Sequence, residues 1–177
     1  YIPEHIKKEA FALHGRTLVG AAAAILTYNR GLIDALAPIV PAVKPQAAYY
    51  EMYGWPGMRV LAETIRYARS KGMFVITDGK RNDIGATMEA YAAAHLGATE
   101  IEGKTEEAFG ADALTVNGYL GSDGIRPLLQ VCAERDKGIF VLVKTSNASS
   151  GELQDQQLEG GNTVYRAMGD FCEEWGR

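Results

Sequence analysis

Continuous apolar runs alternate with amphipathic segments along this chain. Short apolar runs rich in β-branched residues predict four strands, at residues 37–44, 73–77, 113–116 and 138–143. Apolar residues at helical spacing predict helices at residues 4–15, 17–36, 55–72, 86–96 and 125–135, with a last helix that follows the polar stretch 146–161 and runs to about Trp175. Apolar strands that are each followed by a helix indicate parallel βαβ units. The pattern therefore predicts an α/β domain, and it leaves a (β/α)8 barrel and a doubly wound sheet both open.

Composition and charge limit the kinds of function that this chain can have. The chain has 177 residues, 47% of them hydrophobic, and no linker or composition shift divides it, which indicates one globular domain. Its formal net charge of −4, with both signs interspersed, argues against nucleic-acid binding and membrane-surface binding. The two cysteines, Cys132 and Cys172, lie far apart and outside any CxxC pair, so we expect a reduced, cytoplasmic protein without a disulfide framework.

The sequence gives no sign of a metal site. His5, His14 and His95 are scattered along the chain without metal-ligand spacing, so we predict surface or helix-capping histidines. The carboxylates Asp78 and Asp83 stand among two lysines, Lys44 and Lys80, which does not suit a divalent cation. We therefore expect no bound metal.

Charged residues stand at the ends of two predicted strands. Asp78 and Lys80 follow the strand that ends at residue 77, and their spacing of two predicts side chains on the same side. Lys44 ends the preceding strand, and Pro45 after it favours an extended backbone there. Since neighbouring parallel strands lie roughly 5 Å apart, Lys44 should reach both other side chains.

Asp83 lies beyond the strand, where the chain turns into the next helix, so we expect it to reach outside its own pocket. Together these residues would form an alternating row of Lys44, Asp78, Lys80 and Asp83. The residues alone leave open whether such a row is a catalytic centre or a structural ion network.

The segment 78–87, Asp-Gly-Lys-Arg-Asn-Asp-Ile-Gly-Ala-Thr, resembles the Asp-x-Lys-x-x-Asp-Ile-x-x-Thr signature of the orotidine 5′-monophosphate decarboxylase family. The Lys-Arg pair inside the motif is typical of a bacterial subgroup. Three further segments resemble the family in the same order along the chain. They are 43–51, like the lysine-bearing strand end; 116–121, like the end of strand 4; and 142–149, like the base-contacting loop after strand 5.

This resemblance implies a partial (β/α)8 TIM barrel, in which the chain supplies strands 2 to 5 with their helices. A complete barrel needs about 250 residues. We therefore expect residues 1–177 to be a single domain truncated at both ends, which lacks strand 1 and strands 6 to 8 and is nearly inactive alone. The implied function is decarboxylation of orotidine 5′-monophosphate to uridine 5′-monophosphate in de novo pyrimidine biosynthesis, without a metal or organic cofactor.

The resemblance also implies roles for particular residues. The catalytic network would comprise Lys44, Asp78, Lys80 and Asp83. The implied substrate-binding residues are Ser146, Asn117, Ile84 and Thr87. The family works as a homodimer with shared active sites, and by resemblance Asp83, Ile84 and Thr87 would enter the site of the partner subunit. Ser146 would contact the pyrimidine, and Asn117 would line the site.

Two other functions stay open at this point. One is a decarboxylase of the same superfamily that acts on a keto-sugar phosphate with Mg²⁺ and carries the same Asp-x-Lys-x-x-Asp motif. The other is a non-catalytic barrel fragment that keeps the motif as a structural ion network. The segments Lys-Pro-Gln-Ala at 44–47 and Thr-Ser-Asn-Ala at 145–148 favour the nucleotide enzyme.

Overall fold

Helices and parallel strands alternate through the computed structural model, which describes residues 1–177. The helices are α1 (Glu4–His14), α2 (Leu18–Leu36), α3 (Ala48–Glu51), α4 (Gly54–Ser70), α5 (Gly85–His95), α6 (Ser122–Arg135) and α7 (Val164–Trp175). The strands are β1 (Ala42–Val43), β2 (Phe74–Arg81), β3 (Thr99–Ile101), β4 (Lys104–Glu106), β5 (Ala113–Val116) and β6 (Gly138–Val141). A 3₁₀ helix spans Ala148–Glu152. None of the helices combines the length and the hydropathy that a membrane-spanning helix needs.

Four strands form one parallel sheet in the order β1-β2-β5-β6. The crossovers between successive strands of this sheet contain α4, α5 and α6, as expected for βαβ units. Parallel strands place their C-terminal ends along one edge of the sheet, so residues that follow β1, β2, β5 and β6 lie on the same side of the domain. The predicted parallel α/β architecture is therefore confirmed.

The core divides into two apolar clusters, one that includes β2 and one that includes β5. The first packs α4 against α2 and the start of β2, and Leu61, Ile65 and Val75 are completely buried in it. The second packs α5 and α6 against β5, with Met88 and Leu114 completely buried. Each such side chain contributes roughly 1.5–3 kcal/mol by leaving water. These clusters hold the two central strands, and therefore the residues at their ends.

The first predicted strand is much shorter than residues 37–44. Helix α2 ends at Leu36, a turn follows, and only Ala42–Val43 pair with β2. Pro38 and Pro41 are the physical reason, because proline has no N–H to give to a strand ladder. Lys44 consequently lies just after the strand rather than within it.

The sequence pattern did not predict the antiparallel hairpin of β3 and β4. All its strand residues are exposed, so no alternation of apolar and polar positions marks them. Its two-residue turn, Glu102-Gly103, has positive φ at both positions (48° and 84°), which is the backbone that a tight hairpin requires. The short helix α3 and the 3₁₀ helix were likewise not predicted.

His95 corrects the prediction of surface or capping histidines. His5 and His14 are exposed, but His95 is 3% exposed, and its ring stacks on Phe109 with centroids 4.9 Å apart. Its Nδ1 has no hydrogen-bond partner. Burial, with a smaller effect of the nearby Arg81 charge, lowers the pKa of His95 to about 4.

This burial should make the protein sensitive to mild acid. In the unfolded chain His95 takes up a proton near pH 6.5, whereas the folded protein resists protonation down to about pH 4. The free energy of unfolding should therefore fall as the pH drops through this window, by up to about 3 kcal/mol from this group. Urea unfolding of a His95→Phe variant should show a flatter dependence between pH 7 and 4.5, while the exposed His5→Phe control keeps the full dependence. An unchanged slope for His95→Phe would contradict the assignment.

Candidate active site

The carboxylate of Asp78 is the centre of a polar cluster at the C-terminal ends of the strands. Asp78 is 4% exposed, and each of its oxygens has two hydrogen-bond donors. Oδ2 accepts hydrogen bonds from Lys44 Nζ at 2.5 Å and Gln46 Nε2 at 3.0 Å. Oδ1 accepts from Lys80 Nζ at 2.5 Å and Thr115 Oγ1 at 2.8 Å. The structure thus brings together three of the predicted site residues, Lys44, Asp78 and Lys80.

The cluster carries two positive charges, on Lys44 and Lys80, and one negative charge, on Asp78. Burial raises the pKa of Asp78, but hydrogen bonds from Lys44, Lys80 and Thr115 outweigh burial and lower the pKa to about 2. Asp78 is therefore ionised at any physiological pH, and two ammonium groups face one carboxylate. The lysine side chains remain 52% and 46% exposed, so both can also reach a ligand. A cluster with one excess positive charge suits an anionic ligand.

A bulge in the backbone of β2 sets the directions of the Asp78 and Lys80 side chains. Thr77 pairs with Leu114 and Arg81 pairs with Val116, so residues 78–80 lie opposite Thr115 alone. Lys80 has φ of 47°, a left-handed conformation that costs a non-glycine residue about 1–2 kcal/mol. Asp78 and Lys80 do lie on the same side, as predicted. The prediction assumed regular strand alternation, whereas the structure places the two side chains together by means of the bulge.

Thr115 and Gln46 belong to the cluster, and the sequence reasoning missed both. The Thr115 hydroxyl donates to Asp78 and accepts the backbone N–H of Lys80 at 3.0 Å, so it joins the two charged residues. Its signal in the sequence was a single polar residue in the otherwise apolar strand β5, which is wholly buried. Gln46 follows Lys44 by two residues, a spacing that could have indicated a shared side.

Asp83, Ile84 and Thr87 do not join the cluster within this chain. The Asp83 carboxylate accepts the backbone N–H of Ile84 at 2.9 Å and forms no ion pair with Lys80. Ile84 is 51% exposed, and Thr87 is exposed in the first turn of α5. The expected row of four charges therefore has three members in one chain.

Asn117 and Ser146 follow β5 and β6 on the same edge of the sheet. Asn117 Oδ1 accepts the backbone N–H of Tyr119 at 2.9 Å, which closes a tight turn at the end of β5. Ser146 is exposed on the loop after β6, next to Thr145, whose backbone N–H and hydroxyl are both bonded to Gln154. The hydroxyl of Ser146 thus stands on a loop that is fixed at its neighbouring residue.

Comparison with known proteins identifies the family. A model described as the orotidine 5′-phosphate decarboxylase / HUMPS family matches residues 27–170, which include all the candidate site residues. The chain belongs to this family. An orotidine 5′-phosphate decarboxylase of Rhodopirellula baltica is 49% identical over 153 residues, which cover 86% of this chain and 49% of that protein. The enzyme of the same name from Caldicellulosiruptor saccharolyticus is 39% identical over 176 residues, which cover 99% of this chain and 57% of that one.

The chain spans about half the length of the curated relatives it matches. Among solved structures, the OMP decarboxylase of Leishmania donovani superposes with a TM-score of 0.76 at 30% identity. The superposed residues cover 97% of this chain and 65% of the Leishmania chain. These family members confirm the predicted fold class, a partial (β/α)8 barrel, here with β1, β2, β5 and β6 as its parallel strands.

Proposed function

We propose that the protein containing this chain decarboxylates orotidine 5′-monophosphate to uridine 5′-monophosphate, a step of pyrimidine biosynthesis. The observation that carries the proposal is the ionised Asp78 held between two accessible lysine ammonium groups. Family membership supports it, because the curated relatives described above bear this activity in their names. We place the reaction in the cytoplasm, in keeping with two free cysteines, Cys132 and Cys172.

Lys80 is proposed to supply the main chemistry. Heterolysis of the bond between C6 and the carboxylate releases CO₂ and leaves an electron pair on C6, for which the pyrimidine ring offers no conventional sink. A fixed ammonium beside C6 stabilises that charge as it develops. Lys80 then donates a proton from Nζ to C6, which completes the product, and solvent returns a proton to the lysine.

Asp78 and Lys44 are proposed to hold Lys80 ready for this step. The carboxylate of Asp78 accepts a hydrogen bond from Nζ of Lys80 at 2.5 Å, which fixes the position of the Lys80 side chain. Lys44 holds the opposite oxygen of Asp78 at 2.5 Å, so the carboxylate cannot rotate freely. The substrate carboxylate would lie close to the carboxylate of Asp78, and the two negative charges would repel each other. Departure of the substrate carboxylate as neutral CO₂ would remove this repulsion.

We further propose that the working form is a homodimer with shared sites. Asp83, Ile84 and Thr87 lie outside the cluster of their own chain, and the Ile84 side chain is largely exposed. In a two-fold dimer each of these residues would enter the partner's site, where Asp83 would bring a second carboxylate to Lys80. Ser146 and Asn117 are proposed to contact the pyrimidine and to line the site, respectively.

The experiment is an assay of the complete gene product on orotidine 5′-monophosphate, with uridine 5′-monophosphate measured by chromatography, in the presence and absence of EDTA. We expect the same turnover with and without the chelator, because the Lys80 ammonium, rather than a metal ion, would stabilise the negative charge on C6. A parallel assay uses a keto-sugar phosphate with Mg²⁺. Turnover of that substrate alone, abolished by EDTA, would assign the chain to the metal-dependent reaction. A folded protein that turns over neither substrate would support a structural ion network.

A further inference from the structure

Arg81 has the most enclosed guanidinium near the cluster, and the proposed chemistry does not use it. Its side chain is 20% exposed, although it follows directly after Lys80. Nη1 donates a hydrogen bond to the backbone oxygen of Gly79 at 2.9 Å, and Nη2 pairs with the carboxylate of Glu51. The guanidinium also lies over the ring of Tyr91, 5.6 Å from its centroid. Arg81 thus joins three elements, β2, α3 and α5.

The hydrogen bond from Arg81 to Gly79 spans the strained residue. Lys80 stands between these two residues in the left-handed conformation, which persists only where its surroundings impose it. On one side Thr115 accepts the Lys80 N–H, and beyond the bulge the backbone oxygen of Arg81 accepts the N–H of Asn117 at 3.0 Å. The Arg81 side chain adds a third restraint, because it donates a hydrogen bond to the backbone oxygen of Gly79, the residue before Lys80.

The ion pair with Glu51 extends this restraint to the other lysine. Glu51 ends the short helix α3, which follows Lys44 by only a few residues, and the segment between them is bonded to β2. There the Asp78 N–H donates to Pro45 O at 2.9 Å, and the Ala47 N–H donates to Asp78 O at 3.1 Å. The Arg81–Glu51 pair therefore fixes α3 against the bulge that carries Lys80.

We propose that Arg81 is a positioning residue for the decarboxylation, which holds the backbone of Lys80 in its left-handed conformation and fixes the Lys44-bearing segment beside it. The inference rests on the proposed function. Arg81 itself need not touch the substrate, because Nη1 and Nη2 are already directed at Gly79 and Glu51, and its Nε is buried without a hydrogen-bond partner in this chain. Planar, divergent donors are required for this role, so lysine cannot replace arginine here.

The test uses Arg81→Lys and Arg81→Ala in the complete gene product, assayed on orotidine 5′-monophosphate well below their melting temperatures. We expect kcat to fall about 100-fold in both variants, since a displacement of about 1 Å in a reacting group costs that much. KM should change less than about threefold, because ground-state contacts are kept. Glu51→Gln, which retains the side-chain shape, should produce a smaller loss of kcat in the same direction.

The matched control is Arg69→Lys. Arg69 likewise donates to a backbone oxygen, that of Gly110 at 2.8 Å, and pairs with a glutamate, Glu107. It lies at the opposite end of the sheet, so its substitution should lower the melting temperature and leave kcat unchanged. This comparison separates a loss of position from a general loss of stability.

A crystal structure of Arg81→Lys provides a readout that does not depend on turnover. We expect Lys80 to leave positive φ, or its Nζ to lose the hydrogen bond with Asp78. Unchanged kcat in both Arg81 variants, while Lys80→Ala is inactive, would overturn the positioning role and leave the proposed function standing. Normal turnover by Lys80→Ala would instead overturn the proposed function. If Arg81→Ala fails to fold, Arg81→Lys and Glu51→Gln decide the question.

Discussion

Mixing two inactive variants, Lys80→Ala and Asp83→Ala, should restore decarboxylation to about a quarter of the unmodified level after subunit exchange. In the proposed dimer, each variant alone would lack one necessary group in both of its sites. A hybrid dimer would contain one site with an intact Lys80 from one chain and an intact Asp83 from the other. Random exchange makes half of the dimers hybrid, and one of the two sites in each is complete. The measurement is turnover of orotidine 5′-monophosphate after mild denaturation and refolding of the mixture.

The control mixture pairs Lys80→Ala with Asp78→Ala. Asp78 and Lys80 of one chain contact each other at 2.5 Å, so these two residues serve the same site and exchange cannot bring an intact pair together. We therefore expect no recovery from this mixture. Equal recovery in both mixtures, or none in the first when exchange has been verified by tagged subunits, would contradict the shared site proposed for Asp83.

Two strands of the parallel sheet, β5 and β6, could be predicted directly from the sequence. The predicted segments 113–116 and 138–143 are short apolar runs, a pattern typical of strands in parallel sheets. The structure has them as β5, which is wholly buried, and as the partly buried β6, which ends at Val141. The helix α4 was equally clear, because its apolar residues recur at helical spacing and pack on the sheet. In β5 and α4 local propensity and burial agree.

Tertiary contacts decide the features that the sequence did not predict. The bulge at residues 78–80 has no periodic signature, since it depends on the Thr115 hydroxyl and the Arg81 side chain. His95 gave no sign of its burial, because the residue that covers it, Phe109, lies beyond the hairpin in the sequence. Polar residues that complete the cluster, such as Gln46, are likewise recognised only once the strand ends are assembled.

The Lys80→Ala substitution should have the largest effect on activity. It removes both the proposed cation beside C6 and the proposed proton donor, and each of these roles is worth roughly 10²–10⁴-fold in an enzyme. The fold should survive, because the Lys80 side chain is 46% exposed and Asp78 keeps donors from Lys44, Gln46 and Thr115. Lys71→Ala is the matched control, since Lys71 also pairs with an aspartate, Asp34 at 2.6 Å, far from the strand ends.

The ratio of kcat between the unmodified complete gene product and its Lys80→Ala variant, at saturating orotidine 5′-monophosphate, tests the proposed centre most directly. We predict a ratio of at least about 1,000, with a circular dichroism spectrum unchanged by the substitution and a ratio near one for Lys71→Ala. A folded Lys80→Ala protein that turns over the nucleotide at nearly the unmodified rate would contradict the proposal that the Asp78-centred pair of lysines performs the decarboxylation.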